Sequence, residues 1–331
     1  MIRNSINKCY IRYGGRPCEL VLEANNEYYL ASSYQISKAL NSVYSDKNIH
    51  VINQNLNVNR IQQNINKIVS LDYDGIGFNL IICPVKEQWV PMVGLENDDG
   101  DHPSKIMSGA FMLGETEVTQ ELFEAVMGFN YSEFKGLPDS AKRPIEQISF
   151  YDCLVFCNKL SEALGLEPYY DISDIVYDKS PREKSIVKAK FSESSNKKGF
   201  RLPQETEWQV AARARGSDEG RYAGAEREDD LPKVAWYADG NKSAELQTHP
   251  VAQKKPNGWG FYDMSGNVQE CCYDAFEYEG LPNESTIPVN DCVTRGGGYT
   301  NDSELLTTYK RLNWRFRYAN NIGLRIAVSL T

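Results

Sequence analysis

From about residue 106 onward, short helical segments alternate with long stretches rich in glycine, asparagine and aromatic residues, and beyond Gly216 no long helical pattern recurs. This texture constrains the fold more than any single motif does. Irregular backbone still carries a donor and an acceptor at nearly every residue, so where it is buried, side chains must satisfy those groups in place of a repeating ladder. A 41% hydrophobic content is ample for packed cores, and the arginines of the C-terminal segment are open to a buried, hydrogen-bonded reading as well as to surface contact.

Three helices carry clear signals. Thr119 is placed to cap "QELFEAVM", with Gly128 as terminator. Ser149, with Asp152 three residues on, forms a capping pattern for "FYDCLVFCNKLSEAL", in which Phe150, Leu154, Cys157, Leu160 and Leu164 share one face. A third helix follows "RLPQ" through "ETEWQVAARAR" to Gly216. Upstream, "CELVLEA" reads as a strand, "SYQISKALNSV" as an amphipathic helix, and "GFNLIICPV" at 77–85 as a buried strand. In "NVNRIQQNINKIVSL", Val58, Ile61, Ile65 and Ile68 recur at helical spacing, with Asn57 or Asn59 available as a cap. The expected organisation is a small α+β unit over residues 1–87, of unassigned role, followed by a larger domain over 88–331. Near the start of the larger domain, "LENDDGDHPSK" fails as an EF-hand loop, because Leu95 and Ile106 stand where acidic ligands belong, and it reads as a solvated loop.

A formal charge of −9 argues against a general nucleic-acid binder. The start "MIRNSINKCYIRYGG" lacks an apolar core, and no segment approaches the ~20 apolar residues that span a bilayer, so the expectation is a soluble, cytoplasmic protein. Eight scattered cysteines are expected to be mostly free and buried. Cys153 and Cys157 lack a second pair or a nearby histidine to complete a metal site, and the vicinal Cys271 and Cys272 are expected to pack rather than react.

Taken in order, "GETEVTQELFEAVMG", "RPIEQISFYDCLVFCNKLSEALGLEPYY", "GFRLPQETEWQVAARARG", "HPVAQKKPNGWGFYDMSGNVQE", "RGGGY" and "NNIGLRIA" resemble the formylglycine-generating enzyme, or sulfatase-modifying-factor, family over residues 88 to 331. The resemblance implies an α+β, C-type-lectin-like fold of the formylglycine-enzyme subtype with much irregular structure. It also implies a structural Ca²⁺ held by the side chains of Asp263 and Glu270 and the carbonyls of Gly266 and Val268, hard oxygen donors of the kind that ion takes. The other reading of that turn is acids paired with nearby arginines. The family usually has tryptophan where Gln269 and Cys271 stand, and its second calcium site is not carried over, since "VAWYADG" lacks the asparagine.

Family catalysis rests on two cysteines after the RGG-aromatic block that bind copper, as soft thiolates suit Cu(I). Aligned on "RGGGY", those positions are Asn301 and Leu306, so no copper is expected and the catalytic reading becomes the minor one. The tail is similar to the variable proteins diversified by retroelements, typified by a treponemal protein, in which the segment between "RGG" and "NIGxR" carries exposed binding residues. Here that segment, 299–320, offers Thr300, Asn301, Asp302, Glu304, Tyr309, Trp314, Phe316 and Tyr318 as ligand contacts, residue types that binding surfaces favour. In "NWRFRY", alternation on an extended chain would set rings on one side and guanidinium groups on the other. Such a run also suits single-stranded nucleic acid, though the net charge and its brevity count against that. Arg295, Arg311 and Arg325 are expected to be structural. The leading expectation is a non-catalytic pseudoenzyme that binds a protein or surface glycan. The alternatives are an oxidase acting on a protein cysteine, or an activity carried by the N-terminal unit.

Overall fold

The computed structural model describes residues 67–83, 88–90, 105–107, 111–194, 198–214, 220–238, 246–275, 292–314 and 318–329. The expected strand at 18–24 and helix at 33–43 lie outside these residues, as does most of the acidic loop at 95–105.

Two four-stranded sheets form the frame. Strands β1 (Lys67–Tyr73), β2 (Ile76–Cys83), β5 (Phe111–Gly114) and β12 (Ala327–Ser329) make one antiparallel sheet in the order β1-β2-β5-β12. The helical reading that reached Ile68 is corrected here, because Lys67 onward is strand. The turn between β1 and β2 is Asp74-Gly75, both at positive φ (54° and 80°), the pairing that a two-residue hairpin turn demands. Gly75 N–H also donates to Asp72 Oδ1 at 3.0 Å. The sheet thus runs across the boundary drawn at 87/88, since β2 pairs directly with β5. Short strands β3 (Gln88–Val90) and β4 (Lys105–Met107) pair with each other.

Helix α1 (Gln120–Met127) starts where Thr119 Oγ1 accepts from Leu122 N–H and stops at Gly128, φ 76°. Helix α2 (Phe150–Ala163) begins with the reciprocal Ser149/Asp152 capping box. Asp152 does more than cap: Oδ1 accepts from Ile186 N–H at 2.9 Å and Oδ2 from the Ser185 hydroxyl, tying the helix start to β7 (Ile186–Glu193). Phe150, Leu154, Cys157, Leu160 and Leu164 are all buried in the main core, so burial of this apolar stripe holds the helix in place. β7 pairs with β6 (Tyr170–Tyr177) in a separate ribbon. Helix α3 (Glu205–Arg213) is shorter than expected, ending at Ala214 in the left-handed region (φ 44°).

The second sheet, β10-β9-β8-β11, joins β8 (Gln269–Ala275), β9 (Cys292–Arg295), β10 (Leu312–Trp314) and β11 (Ile322–Gly323), with β11 parallel to β8. Between the sheets and helices, charged side chains stand in for ladders. Arg201 makes a bidentate pair with Glu207 (2.7 and 2.6 Å) while its own backbone bridges to Ala327 in both directions. Arg325 pairs with Glu270 and donates to the carbonyls of Gly114 and Tyr262 at 2.9 and 2.8 Å. The partners of Arg325 lie 55, 63 and 211 residues away in sequence, so one side chain stitches distant stretches of irregular backbone together.

Candidate functional site

The glycine run after β9 is a tight turn with no room for side chains. Gly296 and Gly297 have φ of 86° and 66°, where side chains are strained. A Cβ on Gly297 would fall 2.8 Å from both Leu305 O and Leu306 Cδ1, and one on Gly298 would lie 3.0 Å from Asn321 O. Backbone bonds fasten the turn to the 263–270 segment: Gly266 N–H donates to Gly296 O at 2.9 Å, and Tyr299 N–H to Asn267 O at 2.8 Å.

Beneath the turn, Arg295 is fully buried. Its guanidinium donates to Gln209 Oε1 (2.6 Å) and Lys310 O (2.7 Å), and its Nε lies 3.3 Å from Glu205 Oε1. Arg311 donates to the same Glu205 oxygen at 2.6 Å. With Arg325 on Glu270, all three arginines expected to be structural are so.

Asn301 locks the turn from the other side. Its Oδ1 accepts from Gly298 N–H at 2.8 Å and Gln269 Nε2 at 3.1 Å, and its carbonyl accepts from Ala238 N–H at 2.8 Å. Gln269 is itself held by Thr294 Oγ1 at 2.8 Å. Leu306, the other position where the family's enzymes carry a thiolate, is fully buried against Tyr222, Leu231 and Val234. One position therefore closes a turn and the other fills a core. Sequence reading missed Gln269 as the partner of Asn301, although its departure from the family's usual tryptophan was the available signal.

The expected contact residues divide. Thr300, Asp302 and Glu304 are exposed, and so are Asn313 and Asn320, which sequence reading had not singled out. The Ser303 hydroxyl donates to Glu228 Oε1 at 2.5 Å, fixing the short 3₁₀ turn Ser303–Leu306 that carries Glu304. Tyr309 and Tyr318 are half-buried. The Tyr318 hydroxyl donates to Asp178 Oδ2 at 2.7 Å, and its ring lies 4.5 Å from the Arg182 guanidinium, so the segment ends against the β6–β7 ribbon. Trp314 is corrected: only 5% exposed, it sits opposite Cys292 in β10–β9 and packs into the main core. Phe316 lies outside the described residues.

The turn expected to hold calcium is a charge-paired network. Both Glu270 oxygens are taken: Oε1 accepts from Arg325 Nη2 at 2.6 Å, and Oε2 from Arg325 Nε at 2.8 Å and Trp208 Nε1 at 2.6 Å. A third buried acid, not singled out within its "GETEVTQ" block, is Glu117, which accepts from Val268 N–H at 3.1 Å and Asn267 Nδ2 at 2.8 Å. Burial raises its pKa well above the usual value, and the neighbouring Asp263 and Glu270 add to the shift. Asp263 accepts from Ala252 N–H at 2.8 Å through Oδ2, and burial pushes its pKa up to about 6. Its Oδ1 is buried without a hydrogen-bond partner, leaving one free carboxylate oxygen at the site. Arg325 shares Glu270, and a Ca²⁺ at this turn would draw on the remaining Asp263 oxygen and the carbonyls of Gly266 and Val268, hard oxygen donors of the kind that ion takes. Among the described residues no cluster of three or more His, Cys, Asp or Glu is arranged to hold a metal.

Short helices, two small sheets and a side-chain-stitched irregular half define a C-type-lectin-like fold of the formylglycine-enzyme subtype. The chain belongs to the sulfatase-modifying factor enzyme 1-like domain family, whose model matches residues 91–330. It superimposes on the Treponema denticola variable protein 1 with a TM-score of 0.64 and 30% identity, covering 80% of this chain and 99% of that one. The chaperone protein LppX of Paenibacillus barcinonensis is 35% identical over 205 residues, 57% of this chain and 69% of the relative. A formylglycine-generating enzyme of Thermomonospora curvata is 32% identical over 118 residues, which span 30% of this chain but only 39% of the enzyme. No helix among the described residues is long and apolar enough to cross a membrane.

Proposed function

We propose that the protein is a non-catalytic ligand-binding member of its family, presenting the exposed part of segment 299–320 to a protein or surface glycan. The observation that carries this is the contrast within one segment. Asn301 and Leu306, where the copper thiolates would stand, are committed to the turn and to the core beneath it, while Thr300, Asp302, Glu304, Asn313 and Asn320 are exposed. A fixed scaffold beneath adaptable polar contacts binds at low ordering cost. The likeness to a protein named as variable supports a further step, that these exposed positions are diversified by a retroelement. Substitution there leaves the buried bonds of Arg295 and Asn301 untouched.

The test is a displayed library randomised at Thr300, Asp302, Glu304, Asn313 and Asn320 and selected against unrelated soluble proteins and a glycan panel. Folding across most of the library and recovery of selective binders are expected. General misfolding would sink the reading, as would stoichiometric copper uptake by the parent chain with oxidation of a cysteine-containing peptide. A search of the source genome for variable copies of this segment beside an adenine-biased template tests diversification separately.

A further inference from the structure

Three buried thiols meet in the core, beneath the strand pair where Trp314 lies opposite Cys292. Cys271 Sγ on β8 lies 3.4 Å from Cys292 Sγ on the adjacent β9, and the Cys153 thiol of helix α2 also interacts with Cys271. All three are free and at most 1% exposed. The strands are irregular at this point: Cys271 is in register with Thr294 and Ala275 with Cys292, so β8 carries two more residues than β9 between the same two points. That bulge sets the two cysteines diagonally across the strand pair with their sulfurs in contact. A disulfide needs the sulfurs at about 2.05 Å, so the pair has to close by about 1.3 Å.

We propose that Cys271 and Cys292 form a disulfide when the chain meets a low-molecular-weight disulfide such as oxidised glutathione. One cysteine thiolate attacks that disulfide, forming a mixed disulfide and releasing one thiol. The second cysteine thiolate then attacks the protein sulfur of the mixed disulfide and releases the other thiol. Two protein thiols are oxidised, one small disulfide is reduced to two thiols, and the two protons leave with them. In the closed core, burial raises the Cys271 thiol well above its ordinary pKa, which disfavours the attacking thiolate. The exchange therefore proceeds during folding or while the strand pair is open. The product joins β8 to the first residue of β9, the strand whose last residue, Arg295, leads into the glycine turn. Cys153, the competing neighbour, sits on a helix that the capping box and the Ser185 and Ile186 bonds hold in place.

The experiment refolds the full chain from reductant and urea into a glutathione redox buffer, traps remaining thiols by alkylation, and maps peptides by mass spectrometry. A cross-link whose fragmentation assigns Cys271 to Cys292 is expected, with loss of two hydrogens from the intact mass and a higher melting point that reduction reverses. Cys292→Ala should abolish both the cross-link and the melting shift. If that variant fails to fold, the parent's cross-linked peptide still decides. Refolded native protein in which Cys271 and Cys292 are both fully alkylated would overturn the proposal, as would a cross-link from Cys271 to Cys153.

Discussion

Replacing Asn301 by alanine should loosen the turn without touching the exposed contacts. The side chain accepts from two donors in buried residues, Gly298 N–H and Gln269 Nε2. Alanine leaves both unpaired, and a buried unsatisfied donor costs about 1 to 3 kcal/mol. Gln269 keeps its bond from Thr294, so it cannot swing freely to a new partner. The backbone bond from Asn301 N–H to Gly298 O survives, which limits the loss to about 3 kcal/mol in total. For a domain of this size that is a fall in melting temperature of roughly 6 to 12 °C. Thermal unfolding of the full chain by circular dichroism measures it. Asn301→Asp retains the acceptor and should lose less than the alanine variant. Thr300→Ala, Asp302→Ala and Glu304→Ala, all at exposed positions, should stay within about 0.5 kcal/mol of the parent. If Asn301→Ala melted within about 1 °C of the parent, the assignment of Asn301 to the scaffold would be refuted.

Asp263→Asn keeps the acceptor for Ala252, suits the positive φ of 58°, and removes a buried charge beside Glu117 and Glu270. Because the Asp263 pKa is raised to about 6 in the fold, its contribution is most favourable below the unfolded value and is lost as pH rises through about 6. The variant should therefore melt higher than the parent at pH 8, by up to about 3 kcal/mol, and equal it near pH 4. A Ca²⁺ held at Asp263 should make the parent's melting point fall on addition of EGTA, and an unchanged melting point would count against the calcium expectation. Gly297→Ala forces a methyl group against Leu305 O in a left-handed conformation and should cost more than the ~1 kcal/mol of conformation alone, read by urea unfolding. Trp314→Ala should cost about 3 to 5 kcal/mol as a core deletion, and a loss of ligand binding with unchanged stability would return Trp314 to the surface.

The helices were legible because their ends carry local chemistry: Thr119, Gly128, Ser149 and Asp152 act on backbone groups within three or four residues. The β1–β2 hairpin was not, because the helical spacing ending at Ile68 competed with the Asp74-Gly75 turn signal a few residues on. Alternation in "NWRFRY" assigns two faces but not which one is inward. Pairing with Cys292 decides that for Trp314, and no local pattern encodes it. Glu117 was invisible for the same reason, since its partner Asn267 lies 150 residues away. That Asn301 and Leu306 supply no thiolate follows from the residue types alone. What those residues do instead depends on Gln269, Ala238 and Tyr222, which only the fold brings to them.

The sheet that joins β1 and β2 to β5 and β12 bears on how the chain can be cut. A truncation beginning at residue 91, where the family match begins, would strip β1, β2 and β3, and the loss of β2 would leave β5 with an open row of backbone donors and acceptors. Phe111, Met112 and Leu113 on that strand are at most 3% exposed in the intact sheet. An apolar strand with an uncovered edge is a template for pairing between molecules. The shortened domain would meet its neighbours before it met a ligand, so the hairpin guards the solubility of the domain that follows it.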